Sequence, residues 1–234
     1  MDKIGISFDI DWAPDEVIQY VFNLLAEYQV KTTCFATHNS ALIKSLDNKK
    51  YEIGIHPNFN DSNDYDKTIK VLKAIYPEAI GVRSHGLLQS SNILQLFLNN
   101  DLKYDVNTFI PLREGLYPFT RLNRLVCIPY FWEDDANFSS KVTFELEDLQ
   151  LHKKGLKIYN FHPMHVFMNT KSSEHYNEYK QYYQQPDMLT AYKGTGKGTQ
   201  TLFIELLQYL NRNKLPGYTC EEIYREYLKE SIVL

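Results

Sequence analysis

The sequence predicts an α/β fold built on a mainly parallel sheet with helical crossovers. Short β-rich runs alternate with segments of helical apolar spacing over most of the 234 residues. Polar, chemically active residues gather where those runs end, the face that carries chemistry in parallel α/β folds. Seven such runs fit an incomplete barrel or a doubly wound sheet.

The first run, residues 3–10, is followed by a helix over 14–29, with Val17, Tyr20, Val21, Leu24 and Leu25 at helical spacing and Pro14 and Asp15 at its start. The second strand is 31–37, followed by a short helix from Ser40, a good N-cap. The third is 51–57, followed by a helix over 64–77 that Pro77 stops. The fourth is 79–85, with a helix capped by Ser90 or Ser91. The fifth is 102–110, the sixth 124–134, and a helix is expected over 144–155 before the seventh at 156–163. From Met164 to Gln200 the pattern fails, and a polar, Tyr-rich stretch reads as a long loop or lid. Two helices close the chain, the last opened by a Thr219–Glu222 capping box. One domain over 1–234 is expected, with 164–200 as the loop and 201–234 as C-terminal helices.

Composition bounds the function. At 44% hydrophobic and 23% charged, the chain is ordinary globular protein. A net charge of −4 gives no electrostatic ground for a nucleic-acid or anionic-membrane partner. No apolar run approaches a membrane span, and no secretory signal opens the chain. Cys34, Cys127 and Cys220 are odd in number and lack a CxxC, which points to buried thiols in a reducing compartment and so to the cytoplasm. The 18 Tyr and 13 Phe fit either a carbohydrate-like ligand or amphipathic packing. Gly194 to Leu202 mimics a phosphate loop, but Gly198 follows Lys197 and Ala191 stands where the first Gly belongs, so it reads as a loop opening a helix.

The strand ends hold Asp9 and Asp11, His56-Pro57-Asn58, Arg83-Ser84-His85, Asp105 and Asn107, Trp132 to Asp135, and His162-Pro163-Met164-His165. Charges at the ends of buried strands are costly unless paired, ligated or functional. Asp9 and Asp11 are two apart on an extended chain and point the same way, so a cation is expected beside them. His56 and His85 can reach the same ion, and an Asp, His, His set with open positions is the composition of a catalytic zinc or iron site.

These residues resemble the polysaccharide deacetylase family, also called carbohydrate esterase family four, in four motifs across residues 4–165. Ser7-Phe8-Asp9-Ile10-Asp11 is similar to its Thr-Phe-Asp-Asp-Gly with one residue inserted, and Glu52-Ile53-Gly54-Ile55-His56 to the first half of its His-x-x-x-His motif. Gly81 to Gly86 resembles its Arg-centred motif, and Asn160-Phe161-His162-Pro163 its last. Phe-Asp-x-Asp-Trp, Arg-Ser-His-Gly and His-Pro-x-His look most like the WbmS-type branch, linked to surface-polysaccharide synthesis. The resemblance implies an incomplete (β/α)7 barrel and metal-dependent removal of N-acetyl groups from a saccharide.

Carried over, it makes Asp9 the base, Asp11 and His56 metal ligands, His162 the acid and Arg83 the group that holds Asp9. The inserted residue leaves the roles of Asp9 and Asp11 interchangeable. Asn60 stands where the second His belongs; an amide oxygen is a weak zinc ligand, and His85 is the preferred third. Asp105 is expected to pair with His162, and His165 to act as a second acid or substrate contact. Trp12, Asn58 and Trp132 are the candidate substrate contacts. Zinc is the expected ion, with cobalt, manganese, nickel or iron as others. The expected substrate is a saccharide or a nucleotide- or lipid-linked sugar. A hydrolase of a small cyclic or linear amide, or an inactive glycan-binding homologue, would use the same fold.

Overall fold

A computed structural model describes residues 2–139 and 143–232; Met1, 140–142 and the last two residues of the expected domain lie outside the described residues. The elements run β1 Lys3–Asp9, α1 Asp15–Tyr28, β2 Thr32–Ala36, α2 Ala41–Ser45, β3 Tyr51–Ile55, α3 Tyr65–Ile75, β4 Gly81–Val82, α4 Ser91–Asn99 and β5 Tyr104–Asp105. They continue with β6 Phe119–Thr120, β7 Val126–Cys127, β8 Trp132–Glu133, α5 Asp134–Ser139, β9 Leu156–Phe161, α6 Pro163–Met168, α7 Ser173–Tyr179, α8 Pro186–Leu189, α9 Thr199–Arg212 and α10 Cys220–Ile232.

One sheet takes the order β6-β7-β5-β4-β3-β2-β1-β9-β8, parallel throughout except for β6 against β7. It curls into a half-barrel with the helices around it. Main-chain bonds from Ile110 N to Tyr130 O (3.0 Å) and from Phe131 N to Ile158 O (3.0 Å) draw its two ends together. β1, β2 and β9 are buried almost throughout, as expected where helices cover both faces of parallel strands. Val17, Ile18, Val21, Phe22 and Leu25 give α1 one buried stripe, while Asp15 and Glu16 complement the positive helix start. Phe8 of β1 is fully buried between helix and sheet, edge-on to Phe203 of α9 at 5.6 Å. Burial of a side chain this size contributes about 1.5–3 kcal/mol.

Several expected elements differ from those observed. The sixth strand is two short ones, β7 and β8, interrupted at Pro129, which offers no N–H to a ladder. The helix expected over 144–155 is a single 3-10 turn, Leu146–Leu149: Glu145 and Asp148 cap it reciprocally, and Gln150 ends it in the left-handed region at φ 45°. The loop expected over 164–200 is a chain of short helices, with Tyr179 buried beneath them.

Glu52 of β3 is a buried acid away from the strand ends where the other candidate residues gather. It accepts from Thr33 Oγ1 (2.7 Å), from the Glu221 backbone N–H (2.8 Å) and from the Tyr104 hydroxyl. Burial outweighs these bonds and pushes its carboxyl up to about 7, from an ordinary 4.5. Between those values the unfolded chain has released the proton that the folded chain keeps, so this group's contribution to stability falls as pH rises. Urea unfolding at pH 5 and pH 8 should show that decline in the wild type. It should be smaller in Glu52→Gln by on the order of 1–3 kcal/mol.

Candidate active site

Two features of β1 and β3 place the first donors. After Asp9 the chain makes a tight turn, with Ala13 N bonded to Ile10 O at 2.9 Å and Trp12 N to Thr37 Oγ1 at 3.0 Å. Asp11 and Trp12 both take positive φ, 43° and 57°, a conformation that costs a non-Gly residue about 1–3 kcal/mol and that clusters at functional sites. On β3, a Cβ at Gly54 would meet the Phe35 ring at 2.6 Å. The missing side chain leaves room for the Phe35 ring, whose centroid is 4.6 Å from the Arg83 guanidinium; the Tyr130 ring is 4.5 Å from it.

Arg83 is fully buried and is shared among the strands. It donates to Asp9 Oδ1 (3.1 Å), Ser7 Oγ (3.1 Å) and Val106 O (3.0 Å), and to Asn160 Oδ1. Asn160 Nδ2 donates in turn to Asp9 Oδ2 at 2.9 Å. Ser7 and Asn160 are register partners across β1 and β9, and Ser7 Oγ donates to Asn160 Oδ1 at 2.8 Å.

Asp11, His56 and His85 form a near-equilateral triangle. Asp11 Oδ1 is 3.2 Å from His56 Nε2 and 3.2 Å from His85 Nδ1, and the two nitrogens are 3.3 Å apart. Ligands at zinc distances on a tetrahedral ion stand ~3.3 Å apart. Protons can be placed so that both rings donate to Asp11, but His56 Nδ1 is then a bare lone pair facing Asp9 Oδ1 at 3.6 Å, and it is buried without a hydrogen-bond partner. A cation on Nε2 puts the proton on Nδ1, facing that carboxylate, which is the carboxylate–histidine–metal arrangement. The donor set therefore fits a divalent ion. Burial raises the Asp11 carboxyl, but bonds from His56 and His85 override it and hold it far below the usual range. The bond to Asp11 raises His85.

Across the pocket, Asp134 Oδ1 holds His162 Nδ1 at 2.7 Å while Oδ2 accepts the His162 backbone N–H at 2.8 Å. His162 Nε2 faces Asp11 Oδ2 at 3.7 Å. Burial works against its charge, but Asp135 and Asp134 prevail and raise His162 well above the ordinary imidazole value. His165 Nδ1 meets the hydroxyls of Thr170 and Tyr179, each at 3.1 Å, and its Nε2 meets Asp135 Oδ1 at 2.9 Å. A cavity of about 400 Å³ opens above these groups, walled by Trp12, Tyr176, Tyr183 and Lys180. Glu133 lines the adjoining hollow and accepts from Tyr130 OH at 2.6 Å.

Asp9, Asp11, His56, His85, Arg83, His162, His165 and Trp12 thus converge. Four expectations are corrected. Asp105 does not reach His162: it is fully buried in a two-pronged pair with Arg121, at 2.9 and 3.1 Å, and Asp134 is the partner of His162. Trp132 is no platform for a ligand, since it is 4% exposed and packs on Phe161 at 4.9 Å with Nε1 bonded to Asn137. Asn58 turns to Asp61 Oδ2 (2.6 Å) and to the Asn60 backbone, and Asn60 is an exposed turn residue outside the donor triangle. Sequence reasoning missed Ser7, Asn160 and Glu133. The signal for Asn160 was its place two residues before His162, which continues the extended backbone just past the end of β9.

A family model described as WbmS-like polysaccharide deacetylase matches residues 6–180. Among solved structures, one from Bordetella bronchiseptica, described as a polysaccharide deacetylase (WbmS) involved in O-antigen biosynthesis, is 32% identical, with TM-score 0.83 over 88% of this chain and 90% of that one. Another, described as a polysaccharide deacetylase of Mycobacterium smegmatis, is 14% identical with TM-score 0.54 over 93% of both chains, and shares the fold. No curated protein sequence matches. No described helix is long and apolar enough to cross a membrane.

Proposed function

Because the chain belongs to the WbmS-like polysaccharide deacetylase family, we propose that it hydrolyses an N-acetyl group on a saccharide, with Asp11, His56 and His85 holding a divalent ion, zinc in the first place. The observation that carries this is the donor triangle with edges of 3.2, 3.2 and 3.3 Å, facing a carboxylate-held imidazole across one pocket. When bound, such an ion polarises an amide carbonyl and brings the pKa of a water toward ~7.

The chain's own residues do the rest. Asp9, oriented by Arg83 and Asn160, takes the proton of the attacking water. Hydroxide adds to the acetamide carbonyl carbon. His162, oriented by Asp134, carries a proton on Nε2 and gives it to the departing amine, so acetate and a free amino sugar leave. His165 holds Asp135 at the mouth, and Trp12, 38% exposed, presents a ring face to the sugar. The substrate is a sugar precursor, nucleotide- or lipid-linked, and the protein works in the cytoplasm.

The test is acetate release from N-acetylated sugars by zinc-loaded protein, followed against pH. An acid with a raised pKa is active below that pKa, so turnover should fall on the alkaline side. Asp134→Asn removes an anion that raises His162. Its alkaline limb should move to lower pH and its maximal rate should drop by roughly 10²-fold. An unmoved limb would take the acid role from His162; no acetate from any N-acetyl sugar would refute the reaction.

A further inference from the structure

Beside the donor triangle, on the far side of Asp11, stands a second group of donors. His162 has its Nδ1 tied to Asp134 Oδ1 at 2.7 Å, and His165 has its Nδ1 at 3.1 Å from two hydroxyls, Thr170 and Tyr179. Each ring is nine-tenths buried and turns its Nε2 into the same space, His162 toward Asp11 and His165 toward Asp135. One donor atom from each of Asp135, His162 and His165 lies within 4.8 Å of the others. Imidazoles anchored through one nitrogen and open at the other are arranged as metal ligands. The Thr170 and Tyr179 hydroxyls can each turn to accept a proton from Nδ1, so nothing in the anchoring opposes a cation at Nε2.

We propose that Asp135, His162 and His165 form a second divalent-cation site, adjoining the first, with Asp11 between them. Asp11 Oδ1 faces His56 and His85, while Oδ2 faces His162. Charge favours it: with neutral imidazoles, the carboxylates of Asp11, Asp134 and Asp135 leave this wall strongly negative, and a dication offsets them. Two nitrogens and one carboxylate oxygen suit zinc. Asp135 is half exposed, so this site is the weaker of the two. An ion on His162 Nε2 displaces the proton that sits there. On the reading of His162 as the acid, and only on that reading, zinc beyond the first equivalent therefore inhibits.

The experiment is calorimetric titration of Zn²⁺ alone into the metal-stripped full chain, with acetate release followed in the same samples. The wild type should take two equivalents, the second at least tenfold weaker. Asp135→Ala and His165→Ala, with wild-type circular dichroism, should each take one. A single equivalent in the wild type, or two in either variant, overturns the site. Two equivalents with turnover unchanged leaves the site standing and removes His162 from the acid's role.

Discussion

His56→Ala should lose the tighter equivalent of zinc and at least about 10³-fold in turnover. The imidazole is 2% exposed and supplies one corner of the donor triangle, 3.2 Å from Asp11 Oδ1 and 3.3 Å from His85 Nδ1. Two remaining donors and solvent cannot hold a catalytic ion at useful affinity, and without it the amide carbonyl is not activated. Asp11→Asn should behave alike, because a neutral amide replaces the one anionic corner. Zinc content after desalting and acetate release are the two readouts. Retention of tight zinc or of turnover in either variant would remove the triangle from the chemistry.

Arg83→Met should have the largest effect on stability, a loss of about 3–5 kcal/mol in urea unfolding. The guanidinium is fully buried and bonded to Asp9, Ser7, Asn160 and Val106. Removing it leaves the Asp9 carboxylate, itself 5% exposed, buried without its cation. The second substitution Asp9→Asn should therefore recover part of the loss in the Arg83→Met background, on the order of 1–2 kcal/mol. A double variant no more stable than Arg83→Met would show that the cost lies in lost packing between Phe35 and Tyr130 instead.

The strand–helix alternation and the donors at strand ends were legible because both follow from short-range patterns. Asp9, Asp11, His56, His85 and His162 all lie on a strand's last residue or within three residues of its end. What failed depends on contacts distant in sequence. Asp105 looked free to pair with His162 because nothing local marks Arg121, which arrives from the loop around β6, as its partner. Nothing local assigns Asp134 a partner, although an acid at a helix start that also follows a buried strand can turn inward, as it does onto His162. Trp132 read as a surface platform because β8 is too short to show which face is buried. The Tyr-rich stretch read as a loop because its helices, seven residues at most between Ser173 and Leu189, are too short to display a period.

The buried arginine has a bearing on assembly. Its partners in β1 and β9 lie 74 to 77 residues away in the chain, on either side of it. Asp9 is held on Oδ1 by Arg83 and on Oδ2 by Asn160, so its full set of partners draws on strands from both ends of the chain. That cradle closes only when β9, the last strand in the sequence, adds beside β1, the first.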